Sequence, residues 1–349
     1  YGYTLWLPTV VKGLMSGSSA SSVGLVTAIP YIFAVVGIVL LALAPMGQKN
    51  YIIYVLCSWL MFSIGAMGLN LTLGYAGQVS LAQASFMGIG AYVTALLTLN
   101  GWHWMAAMPL AVLTTFVIGL LLGYPALRVQ HHFLAFVTLA FNTLVFLVLR
   151  NEEWLTGGSF GLVGMPRPDF GFYDTGKQID FYYFTLVLFV LSAAVLAWIV
   201  HSPWGRAFKA LRENPIRANS LGVDIRRMTL LAFAIGSAFG GLAGAIMTPL
   251  VQFIEPGSFG LIHSLKMLLM VVVGGAGFFF GPILGAAVVI ILPELLRFTE
   301  GYYLMIYAFL VIVLMVFSPG GLIGLGEKLL ARFRGKPEVR KDMAQGAQL

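Results

Sequence analysis

Apolar residues run through this chain in long stretches, separated by short polar or glycine-rich breaks. The stretches fall at roughly 23–44, 51–73, 79–99, 104–123, 133–149, 181–201, 228–254, 262–278, 281–298 and 302–317. A helix needs about 20 predominantly apolar residues to cross the hydrocarbon core of a bilayer. The pattern therefore predicts an all-α polytopic membrane protein with about ten crossings. Some stretches are short, and these are expected to be tilted, broken or re-entrant.

Two breaks are unusual in kind. The stretch from Asn70 to Ser85 sets Gly74 and Gly77 among Asn70, Gln78, Ser80, Gln83 and Ser85. This is too polar for lipid and too glycine-rich for an unbroken helix, so it predicts an interrupted helix pair. Transporters use such interruptions to offer backbone groups and helix ends to a polar solute; a plain turn with interhelical hydrogen bonds is the competing reading. Gly274, Gly275 and Gly277, followed by Gly281 and Pro282, predict a second break at membrane depth, tolerable only where it is buried or lines water. On these grounds Asn70, Gly74, Gly77, Gln78, Gln83, Ser85, Gly274, Gly275 and Gly277 are the candidate lining of a translocation path. Gly236, Gly240 and Gly244 recur every fourth residue, which predicts close helix packing within the chain.

The longest charged interruption is 202–228, SPWGRAFKALRENPIRANSLGVDIRRM. Ser202 before Pro203 is the start signal of one short helix, and Asn214 before Pro215 of another. Gly222 supplies a left-handed stop, and Asp224 can cap the helix that follows. A loop serving only to fix topology needs charge, whereas this one is a capped helix–turn–helix with apolar residues among its charges. It is expected to dock a soluble partner through Arg206, Lys209, Arg212, Glu213, Ile216, Arg217, Leu221 and Gly222.

Charge sets the orientation. The loop at 202–228 and the basic tail at 329–349 carry Lys and Arg freely, so both are expected on the cytoplasmic side. The loop at 150–180 holds Glu152, Glu153, Asp169, Asp174 and Asp180 and is expected outside, with Thr175 as an accessible position.

Composition narrows the class. Hydrophobic residues make up 59% and charged residues 9% of the 349, against about a quarter charged in a soluble domain. The net charge of +7 comes from loops beside apolar spans and is no nucleic-acid signature. Cys57 is the single cysteine, so there is no internal disulfide and no cysteine-rich metal site. The sequence starts at Tyr1 without Met and is expected to lack its true N-terminus.

Four segments carry a resemblance: GLNLTLGYAGQVSLAQASFMGIGAYVTALL (68–97), LTGGSFGLVGMPRP (155–168), GRAFKALRENPIRANSLGVD (205–224) and MVVVGGAGFFFGPILGA (270–286). In this order they are similar to the branched-chain amino acid ABC importer permeases, closest to the LivM-like half of the pair. The resemblance covers roughly 45–328, which it implies is one permease domain, with 1–44 as an atypical extension and first span. It further implies a homologous LivH-like permease, two cytoplasmic ATPase subunits and a periplasmic binding protein as partners, in the bacterial inner membrane. This chain would bind no cofactor, and ATP–Mg would sit in the ATPases. Two departures stand out. The first 40 or so residues are more similar to a piece of a major facilitator symporter, and Phe141-Asn142-Thr143 stands where many relatives carry a Gly-Glu pair.

Two other classes fit the sequence less well. The chain has no G-x-x-x-x-G-K-[ST] loop and cannot itself cradle ATP phosphates. An ion-coupled secondary transporter of small organic solutes usually needs an ionisable group deep in the bundle. The sequence offers Lys266, and Glu294 with Arg297, all toward span ends. A membrane enzyme finds no support in His103, His131, His132, His201 and His263, which are scattered without metal-ligand spacing.

Overall fold

In a computed structural model, the structure describes residues 37, 39–126, 134–169, 175–299, 302–317 and 320–325. Most of the first expected span, the facilitator-like segment and the basic tail lie outside the described residues. The nine expected spans from residue 51 onward each coincide with a helix: α1 (Asn50–Leu69), α2 (Gln83–Leu99), α3 (Trp104–Ala126), α4 (Leu134–Asn151), α5 (Gln178–His201), then, after two short helices, α8 (Ile225–Val251), α9 (Leu261–Gly274), α10 (Gly281–Leu295) and α11 (Tyr303–Phe317). Among the described residues six helices are long and apolar enough to cross a membrane, while α2 and α10 are shorter apolar helices.

The centre of the bundle is α8 crossed by α1, α2 and α3. Its glycines explain the closeness: a Cβ on Gly244 would land on the Met87 carbonyl, and Gly236 lies against Gly68 and Thr72. Small residues let backbones approach where lipid supplies no hydrophobic drive, so the four-residue glycine repeat is internal packing, as expected. Around this centre Cys57, Leu60, Ile64, Met67, Phe181 and Met267 form one continuous core. Indole N–H groups stitch its edges, from Trp59 to the Ile283 carbonyl and from Trp104 to that of Ala245.

Two helices begin inside the bundle. Beyond α1 the chain winds into a π-helix, Asn70–Tyr75, and then runs without helix to Gln83. There α2 starts level with the middle of α4. Thr138 accepts from the Leu81 amide at 3.0 Å, and Asn142 donates to the Leu81 carbonyl at 2.9 Å. After α8 the chain pairs Leu162–Val163 (β1) with Phe253–Ile254 (β2) in an antiparallel ladder, makes a short 3-10 turn at Pro256–Phe259, and enters α9. Ser264 of α9 accepts from the Ala84 amide and from Asn142. The starts of both broken helices thus meet on Asn142, whose position the sequence marked only as a departure from relatives.

Two expectations are corrected. α9 ends at Gly274, short of the expected 278, and the candidate apolar span opens with the 3-10 turn at Pro256, so Lys266 falls near the middle of that candidate span rather than toward its end. Thr175 is fully buried, its hydroxyl donating to the Pro168 carbonyl at 2.5 Å. Arg167 reaches the carbonyls of Thr175 and Gly176 and the side chain of Gln178, drawing that part of the loop inward. The Glu294–Arg297 pair forms at 3.4 Å as its spacing predicts.

Candidate functional site

The charged loop folds as its caps dictate. The Ser202 hydroxyl accepts from the Trp204 amide, opening α6 (Pro203–Glu213) with Pro203 in its first turn. The Asn214 side chain accepts from the Arg217 amide and opens α7 (Pro215–Ser220). Gly222 takes φ +84°, and Asp224 caps α8 through the Arg227 amide. Because Gly205, Phe208 and Leu211 of α6 are buried, the pair is fastened to the bundle through one apolar stripe.

The remaining surface divides in two. Ile216 is 79% and Leu221 83% exposed, with Arg206, Glu213 and Arg217 exposed around them. Apolar side chains held out on a rigid, charged platform leave a patch that a partner can cover. Lys209 and Arg212, in contrast, reach back toward the bundle. The Lys209 ammonium stands 5.7 Å from the centre of the Tyr75 ring, a cation–π distance. Arg212 donates to the Gly74 carbonyl, at the end of the π-helix.

Gly74 is where the two glycine breaks meet. The Asn70 side chain donates to the Phe278 carbonyl and accepts from the Gly277 amide, both at 2.9 Å, and is fully buried. A Cβ on Gly277, whose φ is +89°, would strike the Arg212 guanidinium, and a Cβ on Gly77 would touch the Arg212 stem. Only glycine gives this approach together with a left-handed backbone. Gly274 and Gly275 continue the turn, Gly274 against Gly281 at the start of α10 and Gly275, at φ +114°, against Gly320. Asn70, Gly74, Gly77 and Gly277 therefore gather under Arg212, although the sequence assigned them and Arg212 to separate sites.

Gln78, Gln83 and Ser85 lie elsewhere, and all are buried. Gln83 donates to the Gly65 and Gly236 carbonyls at 2.9 and 3.1 Å, pinning α2 between α1 and α8. Gln78 makes one long bond, 3.3 Å to the Thr229 carbonyl. Its Oε1 and the Ser85 hydroxyl have no hydrogen-bond partner among the described residues. Buried polar groups are nearly always paired, so these two atoms, like Tyr92 Oη, Gln178 Nε2 and His263 Nδ1, call for a ligand or water. No group of three or more His, Cys, Asp or Glu residues able to hold a metal ion occurs among the described residues.

Sequence reasoning missed Asn142 and Ser264, and it missed the inward turn of Arg212. Polar residues in apolar runs were the available signal for the first two; for Arg212 it was the four-residue step from Phe208, which puts both on one helix face without saying what lies opposite.

Comparison with known proteins follows the same lines. Residues 51–318 match the sequence profile of the branched-chain amino acid transport system permease component family. The high-affinity branched-chain amino acid transport permease LivM of Escherichia coli K12 is 33% identical over 288 residues, 76% of this chain and 68% of that protein. The LivH permease of the same organism is 26% identical over 300 residues, 80% of this chain and 93% of that protein. A probable LivM of Methanocaldococcus jannaschii is 25% identical over 260 residues, 70% of this chain and 71% of that protein. No solved structure matches the chain.

Proposed function

The chain belongs to the branched-chain amino acid transport permease family and is a permease subunit of an ABC importer, and from this premise we propose how it works and with whom. It pairs with a LivH-like permease, two cytoplasmic ATPases and a periplasmic binding protein in the bacterial inner membrane. It carries leucine, isoleucine, valine or a closely related amino acid inward. The permease domain runs over 45–328, and ATP–Mg is bound by the partners alone.

The observation that carries this reading is the helix pair α6–α7, held to the bundle by Phe208 and Leu211 while Ile216 and Leu221 stay uncovered. Such a platform suits an ATPase groove that takes a short amphipathic element. Closure of the ATPases moves α6, and Arg212 and Lys209 pass the movement to the π-helix end. Through Asn70 the turn between α9 and α10 moves with it. The two interrupted helices then shift relative to α8, opening the path alternately to each side. The polar groups on Asn70, Gln78, Gln83 and Ser85, and the bare backbone at 74–77 and 274–277, border that path. Helix ends and amides offer donors and acceptors to a zwitterion.

The test is uptake of radiolabelled leucine by proteoliposomes holding the full complex with loaded binding protein. Uptake should require ATP inside the ATPase compartment and be indifferent to proton and sodium gradients. Uptake driven by an ion gradient without ATPases would replace this reading with secondary transport.

A further inference from the structure

Lys266 stands in the middle of the span Pro256–Gly274. Two neighbours on α9 fix its place in the bundle. One half-turn earlier, Ser264 bonds Asn142 near the centre of α4 and the Ala84 amide where α2 begins. The next residue, Met267, packs on Gly65 of α1 and is fully buried. Lys266 itself is exposed, and among the described residues its ammonium makes no hydrogen bond or ion pair.

An ammonium at this depth does not face hydrocarbon. Half of the apolar core is about 15 Å, beyond what a lysine stem can span by snorkelling. Ionisable residues inside membranes face water-filled cavities or paired charges. On this monomer the face around Lys266 is open: Ile262 is 69% and Leu265 45% exposed. Beside it an open groove of about 430 Å³ runs between α4 and α9, lined by Thr143, Phe146, Gly260 and His263. The Nδ1 atom of His263 is buried there without a partner. The first turn of α9, uncapped by any side chain, adds the positive end of a helix dipole.

We propose that this face of α9 lines the translocation path where the chain meets its homologous permease, and that Lys266 pairs with the carboxylate of the crossing amino acid. The inference rests on the permease reading above. A cation with Ile262 and Leu265 beside it suits a solute that carries a carboxylate and a branched apolar side chain. Exposure to water in the path keeps the pairing weak enough to release the solute.

The experiment uses the assembled complex in proteoliposomes, with Cys57→Ala as background. A cysteine at the path reacts with a cationic, membrane-impermeant methanethiosulfonate, whereas one in lipid stays protonated and inert. Lys266→Cys should react at least tenfold faster than Leu191→Cys, which sits on the exposed face of α5, and loaded binding protein with ATP should slow it. Lys266→Met should lower leucine uptake at least tenfold, with assembly checked by co-purification, and Lys266→Arg should recover most of it. Lys266→Cys as inert as Leu191→Cys would overturn the inference, as would full uptake by Lys266→Met. If Lys266→Met fails to assemble, the labelling ratio alone decides. Failure of the unsubstituted complex to take up leucine would instead strike the permease reading.

Discussion

The guanidinium of Arg212 donates to the main-chain carbonyl of Gly74, 138 residues away in sequence, directly beside the amide of Gly277 that Asn70 holds. One contact thus joins the α6–α7 pair to both interruptions of the helical bundle. The π-helix leaves its last carbonyls without partners of their own, and a planar, permanently charged donor is well suited to take one of them.

Replacing Arg212 with Gln should weaken transmission rather than docking. A hydrogen bond from a charged group contributes about 1.5–3 kcal/mol, so leucine transported per ATP hydrolysed should fall about tenfold or more. Arg212→Lys, which keeps the charge, should lose less. Simultaneous assays of uptake and hydrolysis on purified complexes check this; an unchanged ratio in Arg212→Gln would mean that the contact transmits nothing.

Gln83 and Gln78 should separate stability from passage. Gln83 satisfies two carbonyls on α1 and α8, so Gln83→Leu should destabilise the fold by about 1–2 kcal/mol, seen as a lower thermal midpoint. Gln78 has one long bond and an unpaired oxygen, and Gln78→Leu should hardly move that midpoint. A loss of uptake in Gln78→Leu would then belong to the path itself. Normal uptake there would take Gln78 out of the lining.

Ile216→Asp is a clean probe of docking because the side chain touches little of its own chain. At 79% exposure the substitution leaves folding alone, but seating a carboxylate in a dry groove costs several kcal/mol. The variant should accumulate normally and no longer co-purify with the ATPases. Retained co-purification and uptake would reduce the helix pair to a topogenic anchor.

Orientation can be read with single cysteines in the Cys57→Ala background. Phe160, 90% exposed in the loop between α4 and α5, should label in intact cells as Phe160→Cys, and Asn219→Cys should not. The buried Thr175 is unsuitable, since a silent cysteine there reports burial and not sidedness. The reverse pattern would invert the topology and remove the docking loop from the cytoplasm.

Local signals were legible in the sequence wherever a residue acts on its near neighbours. Ser202, Asn214, Gly222 and Asp224 set the ends of α6, α7 and α8 where their residue types demand. The interruptions at 74–77 and 274–277 follow from glycine content, and the Gly236, Gly240 and Gly244 stripe from its period. What the sequence withheld depends on partners distant along the chain. Gln83 reads as a solvated path residue until Gly65 and Gly236 are brought to it. Lys266 reads as a span end until the re-entrant turn at Pro256–Phe259 lengthens the span before it. Arg212 reads as one more cation on an amphipathic helix, because a sequence period gives a face and not what lies opposite.

The ladder between Leu162–Val163 and Phe253–Ile254 has a wider bearing. It fastens the loop between α4 and α5 to the chain just beyond α8, a 27-residue helix whose other end is capped beside the α6–α7 pair. A helix of that length is a stiff strut of about 40 Å, so the ladder and the α6–α7 pair hold opposite ends of one object. In the proposed assembly, a binding protein leaning on the ladder and nucleotide bound beneath the platform bias the same strut. Thermodynamic reciprocity then requires each to change the other's affinity by the same factor. Signalling inward that solute has arrived and opening outward to receive it become one equilibrium viewed from two sides.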